Sequence, residues 1–166
     1  MRKFDTDGLL LCKIQAELFE KSVFCLNCSS SVFARRFMNS KIVRDLDSIA
    51  LLDDSTTILD IFDELEKEYG PTTYGKEKYH KDVMYWCGYL YRYFSYTYNL
   101  NSKQVYRYLP LNYVASTYET YHTLSISNAI ERLLESKNIL VPDHTDVNRG
   151  IAFLKELRKK EIEQFK

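Results

Sequence analysis

Aromatic side chains crowd residues 86–100, which read WCGYLYRYFSYTYNL. A β-strand would place Tyr85, Tyr89 and Tyr93 on one face, but the tyrosines change face after Tyr93, and the run exceeds a usual strand length. A helix instead gives two neighbouring stripes. We therefore predict one continuous helix over 78–98, apolar around most of its circumference and central in the fold. One stripe contains Val83, Trp86, Cys87, Leu90, Phe94 and Thr97, and the other contains Tyr85, Tyr89, Arg92, Tyr93 and Tyr96.

Helix breakers are scarce, with 5 glycines and 3 prolines in 166 residues, which favours long helices over a turn-rich β fold. Apolar residues at helical spacing predict further helices along the chain. We expect a single compact all-α domain over 1–166 around the tyrosine-rich helix, with a C-terminal helix, 145–166, at its periphery. The other predicted helices are 7–24 capped by Asp7, one capped within 29–31, one starting at 39–40, one at 58–69 after a turn at 53–56, 102–109, a short or irregular segment at 111–121, and one opened by Ser125 or Ser127.

Charge is unevenly distributed along the chain, although the formal net charge is zero. Acidic residues dominate 45–68, where Lys67 is the single cation, and a basic run from Arg35 to Arg44 precedes them. Solvated helix faces account for such runs, and docking of a charged partner is the alternative. A neutral molecule has no general attraction to nucleic acid, so nucleic acid is the less favoured partner.

The N-terminal residues lack the composition of a signal peptide, because the apolar run Leu9–Cys12 is too short and Asp5 and Asp7 precede it. No apolar run has the length of a membrane span. We therefore expect a cytoplasmic protein without a membrane partner. Its four cysteines are expected to be reduced there.

Two features are candidates for chemistry. Cys25 and Cys28 have the spacing of half a zinc site, but no second closely spaced pair accompanies them, so we expect no metal and no cofactor. His122 is either a structural histidine or the general base of a small hydrolase or nuclease, with Glu119 three residues earlier. The sequence contains no phosphate loop, dinucleotide fingerprint or nucleophile elbow. It leaves enzymatic activity open and favours its absence.

The segment 91–108 is predicted to form two helices joined by the short turn 99–102, an arrangement similar to a helix-turn-helix. In a nucleic-acid-binding regulator, Lys103, Gln104 and Arg107 would face the bases and phosphates. An ordinary helical hairpin has the same pattern, and no long basic surface is evident around it in the sequence. We expect no tight, sequence-specific DNA binding by the isolated chain.

Tyrosines are concentrated in one region, because all but two of the 14 fall between Tyr79 and Tyr121. Either they form a tyrosine-rich core seam, or some form an exposed patch for recognition of another protein, since Tyr and Arg are frequent anchors at interfaces. We favour a non-enzymatic protein-binding module. The candidate partner-binding residues are Tyr89, Arg92, Tyr93, Tyr96, Lys103, Arg107 and His122.

Three stretches resemble a family of small bacterial proteins: SSSVFARRFMNSKIVRDLD, YWCGYLYRYFSYTYNLNSKQVYRYLP and YHTLSISNAIERLLE, which together span about 28–137. Members of this family occur near small toxin-like or mobile-element genes, including genes similar to ADP-ribosyltransferases. The resemblance implies an antitoxin-like or defence-accessory role, with a toxin encoded nearby as partner. It assigns no catalytic residue to any position of this chain.

Overall fold

A computed structural model describes residues 2–48 and 57–141, and every regular element within these ranges is an α-helix. The predicted all-α class is confirmed. The predicted turn at 53–56 and the predicted C-terminal helix 145–166 lie outside the described residues. The helices are α1 Thr6–Cys25, α2 Ser30–Asn39, α3 Ile42–Asp47, α4 Ile58–Tyr69, α5 Lys81–Tyr98, α6 Ser102–Tyr108, α7 Leu111–Ser116, α8 Tyr118–Tyr121 and α9 Ile126–Ser136.

The tyrosine-rich run forms the single continuous helix α5, as predicted. It begins at Lys81 rather than at residue 78, because the His80 side chain accepts a hydrogen bond from the Asp82 backbone N–H and caps the helix. It ends at Asn99, whose φ of 54° lies in the left-handed region that short polar residues tolerate. Leu90 and Phe94 have no exposed surface. Full burial of one such side chain contributes about 1.5–3 kcal/mol.

Helix α1 forms the most extensive packing with α5, and the two helices run antiparallel. Gly8 near the start of α1 lies against Tyr96 near the end of α5, whereas Gln15 and Phe19 lie against Gly88. A Cβ atom added at Gly88 would approach the Gln15 carbonyl oxygen to 2.7 Å and the Phe19 Cβ to 2.8 Å. The missing side chain at Gly88 therefore permits the close approach of α1.

Helix α2 packs against α1 and carries two of the core phenylalanines, Phe33 and Phe37. The rings of Phe19, Phe33 and Phe37 lie 5.1 to 5.8 Å apart between centroids, mostly edge to face. Such contacts add about 0.5–1.5 kcal/mol per pair to the burial of the rings. Helices α6 and α7 then pack on α2 and α5, and α9 packs on α5.

Local capping explains most helix starts. Ser29 caps α2, Ser125 caps α9, and Asn101 forms a reciprocal capping box with Gln104 at α6. The prediction that Asp7 caps α1 is wrong: Asp5 is the cap, and its side chain accepts from the Gly8 N–H at 3.0 Å. No helix among the described residues combines the length and apolar character that crossing a bilayer requires.

Candidate functional site

A shallow groove of about 360 Å³ lies between the first half of α5, the end of α8 and the start of α9. We call it the aromatic groove. Four of its residues come from α5 at positions i, i+3, i+4 and i+7, which share one helix face. Its lining consists of Asp82, Tyr85, Trp86, Tyr89, Tyr118, His122 and Ile126.

The rings in the aromatic groove meet at two different angles. The Trp86 and Tyr118 rings are nearly perpendicular, at 77° with centroids 5.6 Å apart. The His122 ring stacks on Tyr118 at 18° and 4.6 Å. His122 Nδ1 lies 2.8 Å from the Tyr118 carbonyl oxygen, and because a carbonyl oxygen only accepts, Nδ1–H is the donor. Perpendicular and stacked rings together give the groove aromatic faces in more than one orientation.

The electrostatics of the aromatic groove combine neutral rings with carboxylates. Burial raises the pKa of Tyr118, and the charges of Asp82 and Glu119 raise it further. Burial also raises the pKa of Tyr89. Both phenols therefore stay neutral at physiological pH, next to the negative charge of Asp82 and Glu119. Ring faces with an adjacent carboxylate attract a cation that has an apolar stem.

The predicted partner-binding residues lie in separate parts of the structure. Tyr89 and His122 meet in the aromatic groove. Tyr93 is half-buried, with its ring centroid 4.7 Å from that of Phe4. Tyr96 is buried, and its hydroxyl donates to Asp5 at 2.6 Å. Tyr93 and Tyr96 thus contact the N-terminal segment of the chain rather than the groove.

Arg92, a predicted partner-binding residue of the tyrosine stripe, is buried. Its side chain is only 1% exposed, and its Nη1 donates to Asp47 Oδ1 at 2.8 Å. Its Nε donates to Gln15 at 2.9 Å and its Nη2 to the Ser102 hydroxyl at 3.1 Å. A guanidinium in a dry core requires such partners, since an unpaired buried charge is very costly. Arg92 is therefore an internal connector of α1, α3, α5 and α6, not a surface anchor.

The helical hairpin predicted at 91–108 is present, with α6 following α5 after a short turn. Lys103 and Arg107 are exposed on α6 and lie one helical turn apart. Val105 is fully buried on the opposite side of the helix. Lys103 and Arg107 are absent from the lining of the aromatic groove.

The Cys25 and Cys28 pair lies at the end of α1, where Cys25 is exposed and Cys28 buried. All four cysteines are free. Within 2–48 and 57–141, no group of three or more His, Cys, Asp or Glu side chains is arranged to hold a metal ion. Burial raises the pKa of the Cys12 thiol to about 12, which keeps it protonated.

Sequence reasoning did not assign five of the lining residues to a site: Asp82, Tyr85, Trp86, Tyr118 and Ile126. The spacing of Asp82, Tyr85, Trp86 and Tyr89 on one helix face was a usable signal. The contribution of Tyr118 depends on how α8 folds back onto α5, which no local pattern reveals.

No family model, curated protein or solved structure matches this chain. Its interpretation therefore depends on its own residues.

Proposed function

We propose that this chain is a non-enzymatic protein-binding module whose aromatic groove receives a side chain from a partner protein. The observation that carries the proposal is the gathering of aromatic rings from α5 and α8 around one concave site. Tyr and Trp dominate binding energies at protein interfaces because they offer a large contact area with few rotatable bonds. Tyr89 and His122, two of the predicted partner-binding residues, both line the groove.

The occupant that best fits the groove is an arginine or lysine side chain of the partner. Its methylene stem would lie along Trp86 and Ile126, and its charge would approach ring faces and the Asp82 carboxylate. A cation over an aromatic face contributes about 0.5–2 kcal/mol, depending on how far it is desolvated. An acidic side chain would instead meet the like charge of Asp82 and Glu119.

Within this function, we assign the chain an antitoxin-like role, as the partner of a bacterial toxin or defence protein. The resemblance described above supports this assignment, and a toxin encoded nearby is the first partner to test. We place the protein in the cytoplasm, where its four free thiols would persist.

The test is co-purification of tagged protein from the native host, with the product of the neighbouring gene examined first. The groove variant carries Tyr89→Ala with His122→Ala, and the matched control carries Tyr74→Ala, a tyrosine that is 75% exposed outside the groove. We expect a protein that is retained by the wild type and by the control and lost from the groove variant. Loss of one hot-spot side chain should weaken binding by about 30-fold or more.

Binding of the purified partner can then be followed by fluorescence, since Trp86 is the single tryptophan of the chain. An occupant of the groove should change Trp86 emission saturably, after subtraction of the partner's own emission. Thermal melts of each variant establish that the fold is kept. Equal retention by the wild type and the folded groove variant would exclude the groove as the docking site.

A further inference from the structure

Two long stretches of the sequence contain no acidic residue at all. Residues 21–44 and 83–118 lack both aspartate and glutamate, although the whole chain has as many acidic as basic residues. The fold brings these two stretches together, because α2 packs against α6 and α7, and α3 packs against α6. Overall neutrality therefore conceals a local excess of positive charge on one side of the molecule.

Four exposed cations occupy this side: Arg35 on α2, Arg44 on α3, and Lys103 and Arg107 on α6. We call them the basic face. Arg44 and Lys103 line the same cavity of about 270 Å³, together with Asp47, and Arg35 lies on α2, which packs against α6. The four cations thus lie on three helices that pack against one another.

The four side chains of the basic face are available, in contrast to those of Arg36 and Arg92 in the same stretches. Among the described residues, none of the four forms an ion pair or donates a side-chain hydrogen bond. Arg92 is neutralised by Asp47, and Arg36 donates to the Gly70 carbonyl oxygen at 2.7 Å. Two carboxylates lie beside these cations: Asp47, which is paired with Arg92, and the exposed Asp45 next to Arg44. The four cations still leave an excess of positive charge, which attracts an extended polyanion.

We infer that the basic face binds the phosphate backbone of nucleic acid without sequence specificity. This activity is separate from protein binding at the aromatic groove and does not depend on it. The absence of a tight, sequence-specific DNA contact, expected above, is compatible with it, since backbone contacts carry no sequence information.

The surface composition favours nucleic acid over an acidic protein. Stable protein interfaces have an apolar centre. In the described part of the chain, none of the large exposed hydrophobic residues lies on α2, α3 or α6. The basic face instead carries the amide side chains of Asn39 and Gln104, which can bond phosphate or sugar oxygens. Lys103 and Arg107 are separated by about 6 Å along the helix axis, which allows contacts to neighbouring phosphates.

The expected binding is weak and strongly dependent on salt. With four cations, the slope of log K against log salt concentration should be at most about −3.6 on duplex DNA. Affinity should then fall by about 150-fold between 50 and 200 mM salt. Dissociation constants near physiological salt should lie in the range of about 10⁻⁴–10⁻⁶ M.

The experiment measures fluorescence anisotropy of a labelled random-sequence DNA duplex of about 20 base pairs across a salt series. The test variant removes Arg35, Lys103 and Arg107 by alanine substitution. The matched control removes Lys13, Lys21 and Lys76, which are exposed elsewhere on the molecule, so both variants change net charge equally. We expect the slope to weaken by about 2.7 in the test variant and to stay near the wild-type value in the control. Melting curves verify that both variants fold.

Three results would overturn the inference. The first is absence of duplex binding by the wild type at about 20 mM salt, where backbone contacts are strongest. The second is equal binding by the folded test variant and the wild type. The third is competition by polyglutamate: if it displaces the labelled duplex as well as unlabelled duplex of equal charge does, and its binding requires the same three cations, the basic face would be assigned to an acidic protein.

Discussion

The substitution Asp47→Asn tests whether the buried Arg92 network stabilises the packing of α1, α3, α5 and α6. Asp47 Oδ1 accepts from Arg92 at 2.8 Å and from the Ser102 hydroxyl at 2.7 Å. Its Oδ2 accepts the Ser102 backbone N–H at 2.8 Å, at the start of α6. Asparagine keeps the shape and one acceptor oxygen, but it removes the negative charge opposite Arg92.

The expected cost follows from the burial of the pair. Removing one partner of a buried ion pair costs about 3–5 kcal/mol, because the remaining charge stays desolvated. The Asp47 side chain is still 14% exposed, so we expect the lower end, about 3 kcal/mol. That is a large fraction of the roughly 5–15 kcal/mol that a folded domain has in total.

Urea unfolding followed by circular dichroism measures this loss. With m-values of about 1–3 kcal/mol/M, the midpoint should fall by about 1–3 M urea. The melting temperature should fall by about 6–12 °C for a chain of this size. The control is Asp45→Asn, an exposed carboxylate on the same short helix, which should change stability by no more than about 0.5 kcal/mol.

A double variant separates the ion pair from the rest of the network. Combining Asp47→Asn with Arg92→Met removes both charges, so the combined loss should be smaller than the sum of the two single losses by about 0.5–3 kcal/mol. In this variant the side-chain oxygen Oε1 of Gln15 still loses the hydrogen bond that Arg92 Nε donates. If Asp47→Asn costs less than about 1 kcal/mol, or the two losses simply add, the reasoning is refuted.

Three further predictions concern the packing and titration of α5. Gly88→Ala should destabilise the fold by about 1–3 kcal/mol, measured by urea unfolding, because the new Cβ would lie 2.7 Å from the Gln15 carbonyl oxygen. This loss should exceed the gain from the higher helix propensity of alanine, and a stabilised variant would contradict the close approach of α1. Tyr91→Phe should leave stability unchanged or raise it by about 1 kcal/mol, because the buried hydroxyl has no hydrogen-bond partner among the described residues. A clear loss of stability would show that the hydroxyl does have a hydrogen-bond partner. Burial and the hydrogen bond to Asp5 raise the pKa of Tyr96 to about 12, so its contribution is fully present below pH 10 and is lost as pH rises to about 12. Tyr96→Phe should flatten the alkaline decline of the melting temperature in that window relative to a Tyr74→Phe control, and identical profiles would refute the assignment.

Much of the local structure could be predicted because the determinants of helices are themselves local. Helical periodicity identified α5, and small polar residues placed the cap of α2 within 29–31 and that of α9 at Ser125 or Ser127. The structure shows that Ser29 and Ser125 are the caps. Where the starts differ from the prediction, another residue is the cap: His80 caps α5, and Asp5 caps α1. A propensity pattern locates a helix more reliably than it locates the residue that caps it.

The tertiary structure alone decided which side of each helix is buried. Periodicity grouped Arg92 with Tyr89 and Tyr93 on one side of α5, but it could not say that Asp47 and Gln15 would cover the guanidinium. A burial pattern follows from contacts between residues far apart in sequence, which local spacing does not encode.

Both proposed surfaces depend on packing between residues that are far apart in the sequence. The aromatic groove requires Tyr118 of α8 to lie beside Trp86 of α5, and the basic face requires Arg35 and Arg107 to share one side of the molecule. The sequence by itself determined the helices, the aromatic content and the two acid-free stretches. Long-range packing then decided which rings and which charges are neighbours, because a residue's environment is set by whatever the folded chain places against it.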